Sequence, residues 1–244
     1  MNAMIQPLPF DPASLHELYL ASLGGDGQTM EPAMKLALDA NFGSLDRWRE
    51  EFAAMGQALG GGAGWVLLVF QPREGTLVNQ CASDPTHALA GGVPILALNM
   101  YEHAPHGDFG TAAGSCADAF MSNIDWAQAY VRYQQAVHAA SAPFGAIHDD
   151  TAGALVLDVR RAGVFESATT MIPGARWRDP GKVSTWATEL PKDREVVVYC
   201  VYGHEVGRST AMRLRAAGVQ ARYLEGGIDG WKAAGRPLLA KAGV

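Results

Sequence analysis

The 244-residue chain carries 25 acidic and 19 basic residues, for a formal net charge of -6 at pH 7, and 48% of its residues are hydrophobic. This charge balance leaves no large basic surface, which argues against a nucleic acid or an anionic membrane as a partner. The most apolar runs, GWVLLVF and VVVYCV, are far shorter than the ~20 residues needed to cross a bilayer. The length and the hydrophobic content favour two globular domains.

The cysteines and the opening residues bear on the compartment. Cys81, Cys116 and Cys200 lie far apart, and no pair has the C-x-x-C spacing of a zinc or redox site. We therefore expect reduced thiols and a cytoplasmic location. The opening MNAMIQPLPFDPAS has no basic residue and no apolar core, so no secretory signal is predicted.

The first half begins and ends with predicted helices. Leu45, Trp48 and Phe52 recur at three-to-four-residue spacing within the helical stretch 32–59, which the glycine-rich GGGAG interrupts. Residues 118–140 are predicted to form the closing helix of this half.

A small sheet is predicted between these helices. Residues 65–83 contain two β-rich runs around Pro72 and Gly75, which is typical of a hairpin. The run VPILALNM, residues 93–100, predicts a third strand.

A change of composition separates the halves. Residues 136–153 are rich in small residues, glycine, proline and aspartate without clear periodicity, which is typical of an exposed connection. We predict a first domain over 1–138, a linker over 139–149 and a second domain over 150–244.

The second half alternates strands with helices. The apolar runs ALVLDV and VVVYCV are separated by helical material around GKVSTWATELP, and the helix EVGRSTAMRLRAAG and the strand ARYL follow. This order predicts a small parallel sheet with crossover helices. Gly218 marks the end of the second helix.

Cys200 stands where the run VVVYC meets a helix-like stretch. The carboxyl ends of parallel strands are where ligands of open α/β sheets bind, and the amides of a following loop can stabilise a thiolate there. A buried cysteine that merely ends a strand is the alternative interpretation, because free cysteine is among the most buried residue types.

Four segments of the second half resemble a rhodanese domain, and they occur in the order typical of that family. They are VLDVR (156–160), IPGAR (172–176), VVVYC with its glycine-bearing loop, and YLEGGIDGWKAAGRP (223–237). The resemblance implies that Cys200 accepts sulfane sulfur from a small-molecule donor as a persulfide and passes it to a thiol acceptor. It implies an anion-binding loop with Arg208 as its cation and a pocket shaped by Asp158 and Arg160. The loop consists of Val201, Tyr202, Gly203, His204, Glu205, Val206, Gly207 and Arg208.

The loop departs from the family pattern in its length. The common family loop is C-x4-R, whereas CVYGHEVGR is C-x7-R. Phosphatases and arsenate reductases on the same fold use C-x5-R to hold an oxyanion, so an oxyanion-processing enzyme is the alternative. Within the loop, His204 and Glu205 suit either an acid/base pair or, preferably for Glu205, the cap of a helix N-terminus.

Four segments of the first half resemble the C-terminal domain of iron/manganese superoxide dismutases. They are NFGSLDRWREEF (41–52), GGGAGWVLLVF (60–70), SDPTHALAGGVPILALNMYEHA (83–104) and NIDW (123–126). The resemblance implies a truncated helical hairpin followed by a three-stranded sheet. It also implies a homodimer, because Glu102 matches a family residue that reaches across the dimer interface.

The resemblance places a degenerate metal site on His16, Asn99 and His103. Asn99 stands where the family has an aspartate, and no histidine precedes His16, so the histidine of the first hairpin helix is missing. Iron and manganese prefer anionic oxygen together with imidazole, so this set should bind metal weakly. An active dismutase, a redox-silent divalent-metal site and a structural or partner-binding region all remain open.

The sequence thus predicts two domains: an α+β dismutase-like domain, then an α/β rhodanese-like domain with Cys200 as the persulfide-carrying nucleophile. Sulfur transfer itself needs no cofactor, and iron or manganese is expected only in the first domain. A functional dismutase with an accessory rhodanese domain is the other alternative.

Overall fold

The computed structural model describes residues 12–59, 64–82, 91–101 and 113–241. Two compact units make up the chain: residues 1–71 with 77–133, and residues 72–76 with 134–244. Among the described residues, no helix is both long and apolar enough to span a membrane.

Helices and one sheet form the first unit. Its elements are α1 (Pro12–Leu20), α2 (Pro32–Phe42), α3 (Leu45–Ala58), β1 (Trp65–Gln71), β2 (Thr76–Ala82), β3 (Val93–Asn99), α4 (Ala113–Ser122) and α5 (Trp126–Ser141). The strands lie in the order β2-β1-β3, and β1 pairs antiparallel with β3. The predicted hairpin and third strand are therefore confirmed.

Both long helical stretches of the sequence are divided in the structure. Gly43 ends α2 with a φ of 88°, and the Ser44 side chain accepts a hydrogen bond from the Arg47 amide at the start of α3. The stretch 118–140 likewise breaks before α5, where Asp125 Oδ1 accepts from the Gln128 amide at 3.1 Å. Side chains that bind helix N-terminal amides favour a new helix over continuation of the old one.

The core of the first unit is aromatic and aliphatic. Trp48, Phe52 and Trp126 are fully or almost fully buried, and the Trp48 ring contacts both of the others. The Trp126 indole donates to the carbonyl oxygen of Gly27 at 3.1 Å. The helical spacing of Trp48 and Phe52 thus directs both rings into this core.

A parallel sheet organises the second unit. Its elements are β4 (Gly145–Ala146), β5 (Leu155–Asp158), α6 (Ala162–Ser167), β6 (Thr170–Met171), β7 (Arg176–Trp177), α7 (Val183–Trp186), β8 (Val196–Tyr199), α8 (Glu205–Ala216), β9 (Ala221–Leu224), α9 (Gly227–Ala233) and β10 (Leu239–Ala240). Five strands lie in the order β4-β9-β8-β5-β7, all pairs being parallel. The predicted parallel sheet is confirmed.

Residues 139–149, predicted as a linker, carry regular structure. They contain the end of α5, a 3-10 turn over Ala142–Phe144, and strand β4, which pairs with β9 at the edge of the sheet. The compact units divide the chain within α5, between Tyr133 and Gln134. Small residues without periodicity fit an edge strand of two residues as well as they fit a connection.

Buried apolar layers cover both faces of this sheet. Val196 and Val198 face one layer, whereas Val197 and Tyr199 face the other. A strand that is covered on both faces needs apolar residues at every position, which explains the continuous apolar run VVVY. Gly218 follows α8 with a φ of 81°, as the predicted helix end requires.

Candidate functional site

Cys200 follows β8 directly; residues 201–204 connect it to α8, and the first turn of α8 forms the rest of the loop 201–208. Its side chain is 6% exposed, and Sγ lies 4.0 Å from the carbonyl oxygen of His204. The predicted position at the carboxyl end of a central parallel strand is what the structure shows. This is the sheet edge where α/β folds bind ligands.

Two opposing influences act on the pKa of Cys200. Burial raises it, and the backbone amides of Gly207, Gly203 and His204 lower it by hydrogen bonding to the sulfur. The Glu205 carboxylate raises it further. The net direction is upward, so the expectation that this loop makes a thiolate available by lowering the pKa of Cys200 is wrong. Removal of the thiol from water outweighs the three amides.

Glycines give the loop its close approach to the sulfur. A Cβ at Gly207 would lie 3.3 Å from Cys200 Sγ. Gly203 has a φ of 70°, and a Cβ there would lie 2.7 Å from the Gly226 nitrogen and the Leu224 oxygen. A larger residue at Gly207 would crowd the sulfur, and one at Gly203 would clash with the backbone of Gly226 and Leu224.

The segment EGGIDGW holds the loop from the other side. Gly226 and Gly227 have φ angles of 72° and 58°, which turn the chain sharply into α9. The amides of Ile228 and Asp229 then donate to the carbonyl oxygens of Cys200 and Val201, each at 3.0 Å. This motif therefore supports the backbone that carries the cysteine.

Arg208 supports the loop and its guanidinium is already engaged. Its Nε donates to the Gly203 carbonyl oxygen at 2.8 Å, and one terminal nitrogen donates to Ser141 Oγ at 3.2 Å. The guanidinium carbon lies 4.1 Å from the centre of the Tyr223 ring. These contacts hold the loop in shape. Anion binding by Arg208, which the rhodanese resemblance implies, stays a prediction.

Asp158 and Arg160 form a buried ion pair at the end of β5. Arg160 Nε donates to both carboxylate oxygens at 3.0 Å, and a terminal nitrogen donates to the Thr170 carbonyl oxygen at 3.0 Å. The Tyr199 hydroxyl donates to Asp158 Oδ2 at 2.9 Å. Burial, followed by the Asp158 charge, raises the pKa of Tyr199. With its polar groups paired in this way, the cluster shapes the sheet edge.

His204 and Glu205 lie at the start of α8. His204 is the N-cap residue, but its side chain makes no capping bond. Glu205 is the first helical residue, 5% exposed, and its Oε2 accepts from Gln134 Nε2 at 3.0 Å. Glu205 is therefore not the N-cap residue that was expected, although the helix dipole favours a carboxylate in the first turn of a helix.

The outer part of the loop is open. Tyr202 is 57% exposed, and its ring centre lies 5.6 Å from that of His204, which is also exposed. Val201 and Val206 are half-buried beside them. The loop thus presents an aromatic outer face and a cysteine-bearing inner face.

The metal ligands predicted in the first unit are only partly described. His16 is exposed on α1, with its ring centre 4.8 Å from that of Trp65. Asn99 is buried, lies opposite Trp65 in the β1–β3 register, and accepts a hydrogen bond from the Tyr101 amide at 2.9 Å. His103 and Glu102 lie outside the described residues.

The described residues alone form no complete iron or manganese centre. Within residues 12–59, 64–82, 91–101 and 113–241, no three side chains of histidine, cysteine, aspartate or glutamate come together as a metal-binding group. Asn99 offers a neutral amide whose oxygen already accepts a backbone hydrogen bond. This local hydrogen bond is the kind of contact that an asparagine with a purely structural role makes.

Comparisons with known proteins assign the two halves. Residues 30–132 match the family model for the C-terminal domain of iron/manganese superoxide dismutases, and residues 145–234 match that for the rhodanese-like domain. The chain joins a dismutase-like region to a rhodanese-like domain. Both resemblances inferred from the sequence are confirmed at this level.

Curated relatives cover the dismutase-like region. An iron superoxide dismutase of Cupriavidus metallidurans is 57% identical over 123 residues, which are 50% of this chain and 62% of that protein. A manganese superoxide dismutase of Halobacterium salinarum is 40% identical over 128 residues, 50% of this chain and 60% of that protein. An iron superoxide dismutase of Aquifex pyrophilus is 33% identical over 131 residues, 52% of this chain and 60% of that protein. The chain thus spans less than two thirds of these relatives.

Three polar residues that meet the residues after Cys200 are absent from the site predicted from the sequence. Gln134, His138 and Ser141 lie on α5 and, like the rhodanese-like domain, belong to the second compact unit. Gln134 and Ser141 contact Glu205 and Arg208, and the His138 ring centre lies 5.7 Å from that of His204. Nothing in their spacing marks them, because they meet the loop only through the tertiary fold.

Proposed function

We propose that the rhodanese-like domain is a sulfurtransferase that carries sulfane sulfur as a persulfide on Cys200. The observation that carries the proposal is the arrangement of three backbone amides, from Gly203, His204 and Gly207, around a cysteine at the end of β8. Such an arrangement stabilises an anion on the sulfur more than it stabilises the neutral thiol.

The proposed reaction has two displacement steps. The Cys200 thiolate attacks the outer sulfur of a donor such as thiosulfate, a sulfur–sulfur bond forms, and the donor bond breaks so that sulfite leaves with the electron pair. The thiolate of an acceptor then attacks the outer sulfur of the persulfide and regenerates the Cys200 thiolate. Both steps keep negative charge next to the loop amides, and neither requires a cofactor.

The contacts of Arg208 favour sulfur transfer over oxyanion hydrolysis. A phosphatase-type loop needs its arginine to bind the oxyanion, and here the guanidinium is bonded to Gly203 and Ser141 and stacked on Tyr223. A persulfide carries one charge on sulfur and needs only the amides. Sulfur transfer therefore requires less rearrangement of this loop.

The dismutase-like region is proposed to be degenerate. Asn99 replaces an anionic ligand with an amide, and an uncharged oxygen stabilises a trivalent ion less than a carboxylate does. A homodimer formed through this region is part of the proposal, on the strength of the family resemblance at Glu102. A cytoplasmic location is also proposed, because the three cysteines are free thiols.

A turnover assay tests the proposed activity. The full chain is incubated with thiosulfate and cyanide, and thiocyanate formation is measured for the native protein, Cys200→Ser and Cys81→Ser. We expect activity in the native protein and in Cys81→Ser, whose exposed cysteine is remote from the loop in sequence, and none in Cys200→Ser.

Two results would overturn the proposal. Thiocyanate formation that survives in Cys200→Ser removes the cysteine from the reaction. Hydrolysis of an aryl phosphate or reduction of arsenate that depends on Cys200, without thiocyanate formation, establishes the oxyanion-processing alternative.

A further inference from the structure

The last two turns of α5 meet the Cys200 loop within the second compact unit. Gln134 Nε2 donates to the Glu205 carboxylate at 3.0 Å, and Ser141 Oγ accepts from Arg208 at 3.2 Å. Between these two contacts along the helix lies His138, whose ring centre is 5.7 Å from that of His204. Residues that follow the dismutase-like match on α5 thus line the sulfur-binding loop.

His138 differs from its neighbours because its Nε2 atom is buried without a hydrogen-bond partner in the described part of the chain. A buried ring nitrogen without a partner is costly, and native proteins keep few such groups. Gln134 and Ser141, in contrast, use their side chains to hold the loop. His138 therefore retains a ring nitrogen that is available to take or release a proton.

The charged groups that face His138 come from the loop and from α8. Burial lowers its pKa, Arg208 and His204 lower it further, and Glu205 raises it. Glu205 also raises the pKa of Cys200. The same carboxylate therefore acts on both the histidine and the cysteine.

We propose that His138 is a positioning residue of the Cys200 site, whose proton offsets the Glu205 charge and thereby increases the thiolate fraction of the cysteine. This inference rests on the proposed role of Cys200 as the nucleophile. It adds a titratable group from α5 to a site that the rhodanese-like match alone does not include, since that match begins at residue 145.

The expected coupling has a definite sign. When His138 is protonated, its positive charge cancels part of the Glu205 charge, and the Cys200 thiol ionises more readily. When His138 is neutral, this contribution is lost and the Glu205 carboxylate opposes ionisation more strongly. By linkage, negative charge at position 200 must raise the pKa of His138 by the same amount.

Alkylation of Cys200 by iodoacetamide measures its thiolate fraction without any sulfur chemistry. The rate is followed against pH for the full chain, with the Cys200 peptide quantified by mass spectrometry so that Cys81 does not contribute. We expect a shoulder in the native profile below pH 6.5, the ordinary histidine value, because the His138 pKa is lowered from it. His138→Gln should lose this shoulder, react several-fold more slowly than native protein below it, and match native protein well above it.

Two further histidine variants identify the residue responsible. His148→Gln is the matched control, because His148 packs against Trp231, with ring centres 5.5 Å apart, and should leave the profile unchanged. A shoulder that survives in His138→Gln and disappears in His204→Gln would overturn the proposal.

A second measurement covers the case in which His138→Gln fails to fold. The pKa of His138 is measured by nuclear magnetic resonance in Cys200→Asp and Cys200→Asn, which have the same shape and differ in charge. We expect a higher His138 pKa in Cys200→Asp, and equal values would overturn the proposal. Neither measurement needs sulfur transfer, so its failure is distinct from a failure of the proposed function.

Discussion

The ends of β3 and β8 show how differently two buried strands can end. At the end of β8, Cys200 meets three backbone amides, and α9 amides hold the loop in place. At the end of β3, Asn99 is equally buried. Within the described part of the chain, its side-chain oxygen accepts a hydrogen bond from the nearby Tyr101 amide. Burial alone therefore does not indicate a reactive site; the groups that face the buried atom do.

The two sites also differ in the groups that form them. The Cys200 loop is built mainly from backbone groups within residues 200–229, so its shape follows from glycines and turns. A metal centre instead needs side chains of the right charge brought from distant elements. The loss of one carboxylate therefore weakens a metal site greatly, whereas the loop geometry tolerates many side-chain changes.

The largest expected effect concerns the ion pair that supports the sheet edge beside Cys200. Asp158→Ala leaves the Arg160 guanidinium buried without its partner and removes the acceptor of the Tyr199 hydroxyl. Loss of one member of a buried pair costs about 3–5 kcal/mol of unfolding free energy. Urea unfolding of the full chain, followed by tryptophan fluorescence, measures this loss.

Asp149→Ala is the matched control for that experiment. Asp149 pairs with Arg236, and their side chains are 74% and 38% exposed. An exposed pair contributes at most about 1 kcal/mol. If both variants unfolded at the same urea concentration, the Asp158 pair would not support the fold in the way described.

Restoring a charged ligand tests the Asn99 side of the comparison. Asn99→Asp places a carboxylate where the amide now stands, and a charge near a metal ion contributes several kcal/mol, about 4 kcal/mol at an effective dielectric of ~20. We expect higher iron or manganese content at equal expression, measured by elemental analysis. His103→Ala should remove whatever metal the native protein holds.

Two outcomes would change this interpretation of Asn99. Near-stoichiometric iron or manganese in native protein, with superoxide dismutation abolished by His103→Ala, would contradict the proposal that the dismutase-like region is degenerate. An Asn99→Asp protein that gains no metal would show that Asn99 is not the dominant defect of this site.

Gly207→Ala gives the smallest expected effect and tests the loop geometry. The added Cβ would lie 3.3 Å from Cys200 Sγ, so the sulfur must move by a few tenths of an ångström. We expect about a tenfold loss in the rate of thiocyanate formation, since small misplacements of reacting groups are costly. Stability should change little, because alanine suits a helix better than glycine does.

Gly163→Ala is the control for the loop variant. Gly163 lies in α6, and a Cβ there meets no atom within 4 Å. Its activity should equal that of native protein. Equal activity in both variants would show that the close approach of Gly207 to the sulfur is unimportant.

Much of the rhodanese-like half follows from local sequence. A continuous apolar run predicts a strand buried on both faces, and the position of Cys200 after VVVY predicts its place at the sheet edge. Gly226 and Gly227 of EGGIDGW form a sharp turn, which requires their positive φ angles. These features are local, so the residues themselves indicate them.

The features that sequence reasoning missed depend on tertiary contacts. The raised pKa of Cys200 reflects burial by surrounding elements, which a motif does not express. His138 and Gln134 look like ordinary polar residues of a helix until the fold brings them to the loop. The engagement of Arg208 by Gly203 and Tyr223 likewise appears only in three dimensions.

The most direct test of the account is the mass of the Cys200 peptide after anaerobic incubation of the full chain with thiosulfate. The account predicts that this peptide gains one sulfur atom in native protein, that Cys200→Ser gains none, and that peptides containing Cys81 or Cys116 stay unchanged. The gain should disappear when a thiol acceptor is added. A native Cys200 peptide without added sulfur, or a gain confined to another cysteine, would contradict the claim that this loop is built to carry sulfur.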